Sequence, residues 1–335
     1  MLTYDTLARK PSAFKSMTGV TIDEFEEMLA DLRPRYEAAR QEERAATPRL
    51  RAPGGGAKRR HDLRGQLLMT LVWLRLYLTG DAVGVLFGVD KSTVSRTTRP
   101  LLRLLRESGQ DTLGWPEEAR ALLDAADGGA GGAGGAGGGG AGGAGGAGGA
   151  GDADSVAIID ATEQRVERAR DDATQRAHYS GKKKAHTRKT LVVVNERGRL
   201  RYVSPSVPGS VHDLTLLRQS GTLEAIPPDL SLVGDGGFQG LQHDAPERSV
   251  ALPYKGSKTH PLTPEQKLHN AILSRIRIVV ENTLAEMKHV RILADVFRHS
   301  LALYDSIVVS IAGVVTRRAD RRAAAQCRAA LPVAA

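Results

Sequence analysis

The chain has 335 residues and a formal net charge of +9, from 47 Lys and Arg against 38 Asp and Glu. That length allows more than one domain, and the charge points to a polyanionic partner, with nucleic acid first. The lone cysteine, Cys327, excludes an intrachain disulfide framework and a cysteine-ligated zinc site.

No signal-peptide pattern opens the sequence, and the longest apolar run, 307–315, is short and interrupted by Ser310 and Gly313. A cytoplasmic protein without membrane association is expected. Positive charge clusters at Lys58–Arg60, Arg96–Arg106, Lys182–Lys189 and Arg317–Arg322, some of it as plain solvated surface.

Residues 1–60 read as an N-terminal helical segment. Thr21 and Glu24 have capping-box spacing ahead of Phe25, Met28 and Leu29, and Pro34 is expected to kink or end that helix. Residues 61–127 follow as a second helical unit. Leu67, Leu68, Leu71, Val72, Leu74 and Leu78 recur at helical spacing. A short helix over 81–87, a Gly88-Val89 turn and a helix from Lys91 to about Arg106, with Asp90 as its N-cap, give the order of a helix-turn-helix.

Lys91, Ser92, Thr93, Ser95, Arg96 and Arg99 are the residues expected at a DNA groove, with Val94 and Leu101 facing the core. A helical packing or dimerisation module would read similarly.

Residues 128–151 contain only Gly and Ala. Such a segment buries too little to offset its chain entropy, so it reads as a flexible linker with a root-mean-square span of roughly 25–30 Å, letting two domains engage separate parts of one DNA.

Strand-like runs then appear at 156–160, 164–168, 190–195, 200–204 and 230–235, with a further strand at 249–253. Glu196-Arg197-Gly198 reads as a hairpin turn, and a helix is expected from about Thr263 to Val290. Strands followed by a long helix around one core define an α+β or α/β unit over 152–315. Residues 316–335 read as a basic Ala/Arg-rich tail.

Two aspartates close apolar runs: Asp160 after 155–159 and Asp235 after 230–234. Each alone is equally a turn-former or a site residue. On the later helix, Asn270, Ser274, Arg277, Glu281, Ala285 and Lys288 share one stripe, with Ile272, Ile276, Val279, Val280, Leu284 and Met287 on a separate apolar face. Glu281 is therefore either a cleft carboxylate or half of an Arg277–Glu281 surface pair.

Together, two strand carboxylates and one helix carboxylate suit a pair of Mg²⁺ ions, with Mn²⁺ as a substitute, that would clamp the attacking and leaving oxygens of a phosphodiester. Lys288 is either a phosphate contact or a solvated lysine. The segment with Lys182, Lys183, Lys184 and His186 could follow a DNA backbone. His212 and Asp213 are secondary candidates, for supporting a ligand or, for Asp213, as a rival metal ligand.

The phrases Ile159-Asp160-Ala161-Thr162-Glu163, Pro208 to Asp213, Gly234 to Gly240 and Val280 to Lys288 resemble those of DDE transposases. The branch is that of bacterial insertion sequences of the insertion-sequence-five type and their Harbinger relatives. Arg277, Glu281 and Lys288 have this group's spacing around the third acid. Two positions depart from it: Gly236-Gly237-Phe238 replaces an often-seen Lys-Gly-Tyr, and Ser274 replaces a Tyr.

The resemblance implies a helix-turn-helix domain followed by an RNase H-like catalytic domain, a mixed central sheet flanked by helices. Asp160 falls on its first strand, Asp235 at the end of its fourth and Glu281 on a later helix. It also implies Mg²⁺-dependent nicking at element ends, strand transfer into double-stranded target DNA, and at least a dimer on DNA. A DNA-binding regulator lacking catalysis and a site-specific nuclease are the alternatives.

Overall fold

The computed structural model describes residues 1–46, 60–115 and 154–330, so the Gly/Ala segment at 128–151 lies outside the described residues. The N-terminal part is helical: α1 Tyr4–Ala8, α2 Pro11–Thr18, α3 Ile22–Ala46, α4 Leu63–Leu76, α5 Gly80–Phe87 and α6 Lys91–Thr112. The capping box forms as expected. The Thr21 amide donates to Glu24 Oε2 at 2.7 Å and the Glu24 amide to Thr21 Oγ1 at 3.2 Å.

Pro34 does not end the helix, which runs through it to Ala46. Pro34 and Ala30 are both exposed, so the Ala30 carbonyl that loses its partner can bond water, and the helix is anchored instead by buried Phe25, Met28, Leu29 and Leu32. Asp90 stands at the start of α6 but its side chain makes no cap; the Asp90 carbonyl accepts from the Val94 amide. α6 also outruns its expected end, because Leu104, Leu105, Ser108 and Gly109 are buried too.

The second part is built on one mixed sheet. Its main strands are β1 Val156–Arg165, β3 Ala185–Val194, β4 Leu200–Val203, β6 Ser231–Val233 and β7 Val250–Ala251, with short β2 Tyr179–Ser180 and β5 Val207–Pro208 along β3. The order is β4–β3–β1–β6–β7, antiparallel through the first three and parallel through the last three.

The two strands expected at 156–160 and 164–168 are a single strand, because 158–165 hold unbroken register with 187–194 of β3. Helices α7 Asp172–His178, α8 Asp213–Gln219, α9 Leu241–Asp244, α10 Pro264–Lys288, α11 Arg291–Ala294 and α12 Tyr304–Ala330 flank the sheet. Asp235 was expected at the end of a fourth strand; it lies two residues past β6, the sixth strand of the chain, or the fourth when the two-residue β2 and β5 are left out.

Strand periodicity divides the core. Ile158, Val192 and Val194 face one side and share a cluster with α10, α11, α12 and the N-terminal helices. Ala157, Ile159, Leu191 and Val193 face the other, under Leu214, Leu216 and Leu217 of α8. The helical part and the sheet thus share one apolar core.

The tightest contact in that union is the crossing of α6 with α12. A Cβ on Gly313 would lie 2.5 Å from the Gly109 Cα, and one on Gly109 would lie 2.6 Å from the Val309 carbonyl oxygen. Arginines of α12 reinforce it: Arg317 reaches Asp31 at 3.0 Å, Arg318 reaches Glu24 at 2.9 Å, and Arg321 pairs with Glu27. Residues 316–330, within the stretch read as a basic Ala/Arg-rich tail, continue α12.

Candidate active site and DNA-binding face

Asp160 lies in the middle of β1, not at a strand end, but it stands where the shorter partner β6 stops. The parallel register pairs Ile158 with Val233, and two further residues along each chain bring Asp160 beside Asp235. Adjacent strands are about 4.8 Å apart, so the two residues leave the pairing at neighbouring positions, and the charge of Asp235 acts on Asp160. Each spends one oxygen on the backbone. Asp160 Oδ1 accepts from the Ala161 amide at 2.8 Å, and Asp235 Oδ1 accepts from the Gly237 amide at 2.7 Å.

α10 supplies the third acid. Its Thr263 cap forms a complete capping box with Gln266, and its predicted polar stripe faces the sheet's open end. Asn270 ties the segment after β7 through both polar atoms, to the Tyr254 amide at 2.9 Å and the Tyr254 carbonyl at 3.0 Å. One helical span further, an Arg277 terminal nitrogen lies 3.7 Å from Asp160 Oδ2 and 3.6 Å from Glu281 Oε1. Arg277 is therefore not merely half of a surface pair: it bridges the strand acid and the helix acid.

The apolar face is narrower than its periodicity suggests. Val280, Leu284 and Met287 are buried as expected, whereas Ile272 and Ile276 are exposed because the first half of α10 extends past the sheet.

Burial pushes the Asp160 carboxyl up to about 6, against the opposing Arg277 charge and Ala161 amide; nearby Asp235 and Glu281 raise it further. The site thus concentrates negative charge that wants a cation. Lys288 has its pKa lowered, first by partial burial and then by Lys183, while Asp160 and Glu163 act in the opposite direction. Lys288 therefore lies within electrostatic range of both Lys183 and Asp160. Lys182 and Lys184 are exposed with Lys183 on the turn before β3.

The structure adds residues that sequence reasoning missed. Lys255 follows β7 at the same end of the sheet, and its Cε would lie 3.1 Å from a Cβ on Gly236. Its signal was positional, a basic residue just past a strand parallel to β6. Glu163 and Lys189 are register partners on β1 and β3. The buried Lys189 ammonium sits 3.6 Å from Glu163 and 2.7 Å from Asp213, and donates to the Val211 carbonyl at 2.6 Å.

Asp213 in turn abuts the Asp235 turn: a Cβ on Gly237 would meet Asp213 Oδ2 at 2.5 Å and Asp235 Oδ1 at 2.9 Å. Asp213 is thus held by Lys189 beside the site. His212 is exposed at the start of α8 and caps nothing, and His186 donates to the Gln175 carbonyl at 3.2 Å under Tyr179; neither joins the acids.

On the helix-turn-helix, Lys91, Ser92, Arg96 and Arg99 are exposed, Thr93 and Ser95 half-buried, and Val94 and Leu101 buried as expected. Arg96 donates to Ser92 Oγ at 3.1 Å, one turn back.

The comparisons with known proteins agree with both parts. The family described as helix-turn-helix of DDE superfamily endonuclease matches residues 62–111, and the DDE superfamily endonuclease family matches 159–315. Fold and matches together define a DNA-binding helix-turn-helix joined to a DDE superfamily nuclease. A probable transposase for insertion sequence element IS702 from Microchaete diplosiphon is 26% identical over 288 residues, covering 85% of this chain and 87% of that protein. Together these matches support a DDE transposase of insertion sequences. No solved structure matches it, and among the described residues no helix is long and apolar enough to cross a membrane.

DDE endonuclease domains depend on divalent metal, and the donors here suit one: three carboxylates provide only hard oxygen ligands. Asp160 and Asp235 are adjacent, and Asp235 Oδ2 has no hydrogen-bond partner among the described residues. Among those residues no three His, Cys, Asp or Glu side chains close to a common coordinating distance, since Arg277 stands between Asp160 and Glu281. The residues fit the group in chemistry, and Asp160 and Glu281 flank the same arginine.

Proposed function

We propose that this transposase binds the terminal repeats of its element through α5 and α6 and cuts and joins DNA strands at the cleft of Asp160, Asp235 and Glu281. The observation that carries this reading is the side-by-side placement of Asp160 and Asp235 where β1 outruns β6, with Glu281 reached across Arg277.

Asp160, Asp235 and Glu281 would hold two Mg²⁺ ions, which when bound supply Lewis-acid activation of a water or 3′-hydroxyl and of the scissile phosphate. The chain's own basic groups do the positioning. Lys183, Lys288 and Lys255 neutralise phosphates flanking the scissile bond as point charges. Asp213, held by Lys189, keeps the Asp235–Gly237 turn in place from behind.

On α6, Lys91, Ser92, Thr93, Ser95, Arg96 and Arg99 form the groove-facing surface, with Arg96 the best placed to read base edges. Joining two element ends calls for at least two copies on the DNA. The test is incubation of purified protein with Mg²⁺ or Mn²⁺ and the gene's own flanking DNA. Nicks at the element boundary together with joined products are expected; nicks that never join would indicate a site-specific nuclease, and binding without nicking a regulator.

A further inference from the structure

Buried ion pairs that fasten this structure include at least one hydrogen-bonded approach: Lys189 donates to Asp213 at 2.7 Å, although it stands 3.6 Å from Glu163, and Arg318 donates to Glu24 at 2.9 Å. Arg277 differs. Its approaches of 3.7 Å to Asp160 and 3.6 Å to Glu281 lie beyond hydrogen-bond length, although its side chain is only 18% exposed and that of Asp160 only 15%. Its Nε is buried and makes no hydrogen bond among the described residues. A guanidinium that stays charged, sits in low dielectric and leaves donors unused is a diffuse counter-ion, not a structural clamp.

We infer that Arg277 is the exchangeable counter-ion of the acidic cleft: it neutralises Asp160 and Glu281 until a divalent cation takes them, and the released guanidinium then binds a DNA phosphate. This rests on the reading of the three acids as metal ligands. The position suits both tasks. Arg277 lies on the α10 stripe that also bears Lys288, whose ammonium feels the charges of Lys183 and Asp160, so a guanidinium displaced along the stripe stays near further positive charge. A planar fork with five donors pairs with phosphate oxygens better than with two carboxylates at this separation.

The consequence is reciprocal coupling. Metal would strengthen DNA binding by freeing Arg277, and DNA would strengthen metal binding by holding it away. A fixed structural arginine would give no such coupling through this residue.

The test measures Mn²⁺ affinity by electron paramagnetic resonance, with and without a duplex carrying the gene's flanking sequence, for wild type, Arg277→Gln, Arg277→Lys and Asp160→Asn. A thermal melt checks that each is folded. Without DNA, Arg277→Gln should bind Mn²⁺ more tightly, on the order of tenfold, because a competing charge is gone. The gain in Mn²⁺ affinity on adding DNA should appear in wild type, shrink in Arg277→Lys and vanish in Arg277→Gln. Equal or weaker Mn²⁺ binding by a folded Arg277→Gln, or coupling that persists in it, overturns the inference alone. Wild-type Mn²⁺ binding that Asp160→Asn leaves unchanged overturns the metal-site reading and the inference with it.

Discussion

Lys189 is a buried cation between two carboxylates, Glu163 and Asp213. Its ammonium is 2.7 Å from Asp213 and 3.6 Å from Glu163, and each of these side chains is at most 16% exposed. Deleting the cation leaves two buried negative charges facing each other, so Lys189→Met should destabilise the protein by about 3–5 kcal/mol. Adding Glu163→Gln and Asp213→Asn should recover most of that loss, and denaturant unfolding of the single and triple variants measures both. A Lys189→Met loss near zero would mean that the charges are hydrated. Of these residues Asp213 was visible in the sequence, as part of a phrase. Glu163 stood in another such phrase and Lys189 in a basic run, but their meeting was not visible, because it depends on the register between two strands whose extent no local pattern disclosed. Apolar runs and helical spacing made the strand and helix positions of Asp160, Asp235 and Glu281 legible, while their grouping as the acids of one site came from the family resemblance. Lys255 was missed because a lysine just after a two-residue strand has no periodicity to reveal it.

At the scale of elements, the crossing of α6 and α12 fixes the helix-turn-helix against the nuclease part. The helices touch through backbone at Gly109 and Gly313. In an exposed helix, Gly→Ala would gain about 1 kcal/mol of helix propensity. Here Gly109→Ala should instead lower stability, and Gly109→Leu should cost about 1–3 kcal/mol or more by forcing the helices apart. A rise in melting temperature for Gly109→Ala would contradict the close crossing. Helix positions were largely readable from spacing and caps, but this contact was not, since a glycine near a helix end reads as a terminator. The exposed Ile272 and Ile276 teach the same lesson from the other side: helical periodicity marks an apolar face without saying whether anything covers it.

At the scale of the molecule, the two DNA-facing parts form one body. The described residues on either side of the Gly/Ala segment meet at one side chain. Arg201 donates to the Gly114 carbonyl at 2.9 Å, lies over the Trp115 ring at 5.6 Å and pairs with Asp154 at 2.6 Å. The separation of recognition helix and acidic cleft is therefore set by the shared core and by α6 on α12, and not by the reach that linker composition suggested. A site-specific protease sequence inserted within 128–151 should, after cleavage, leave two fragments that co-elute and melt in one transition; fragments that separate would contradict the single body. The central claim concerns chemistry at Asp160, Asp235 and Glu281, and the most direct test is a denaturing gel of the gene's flanking DNA with Mg²⁺, comparing wild type with Asp160→Asn, Asp235→Ala and Glu281→Gln. Removing the buried charge of Asp160 should stabilise the metal-free fold by about 1–3 kcal/mol, so loss of cutting in that variant is not loss of folding. Metal-dependent nicks and joined strands are expected for wild type and neither for the three variants; cutting that survives in any folded variant of the three would contradict the role of these acids.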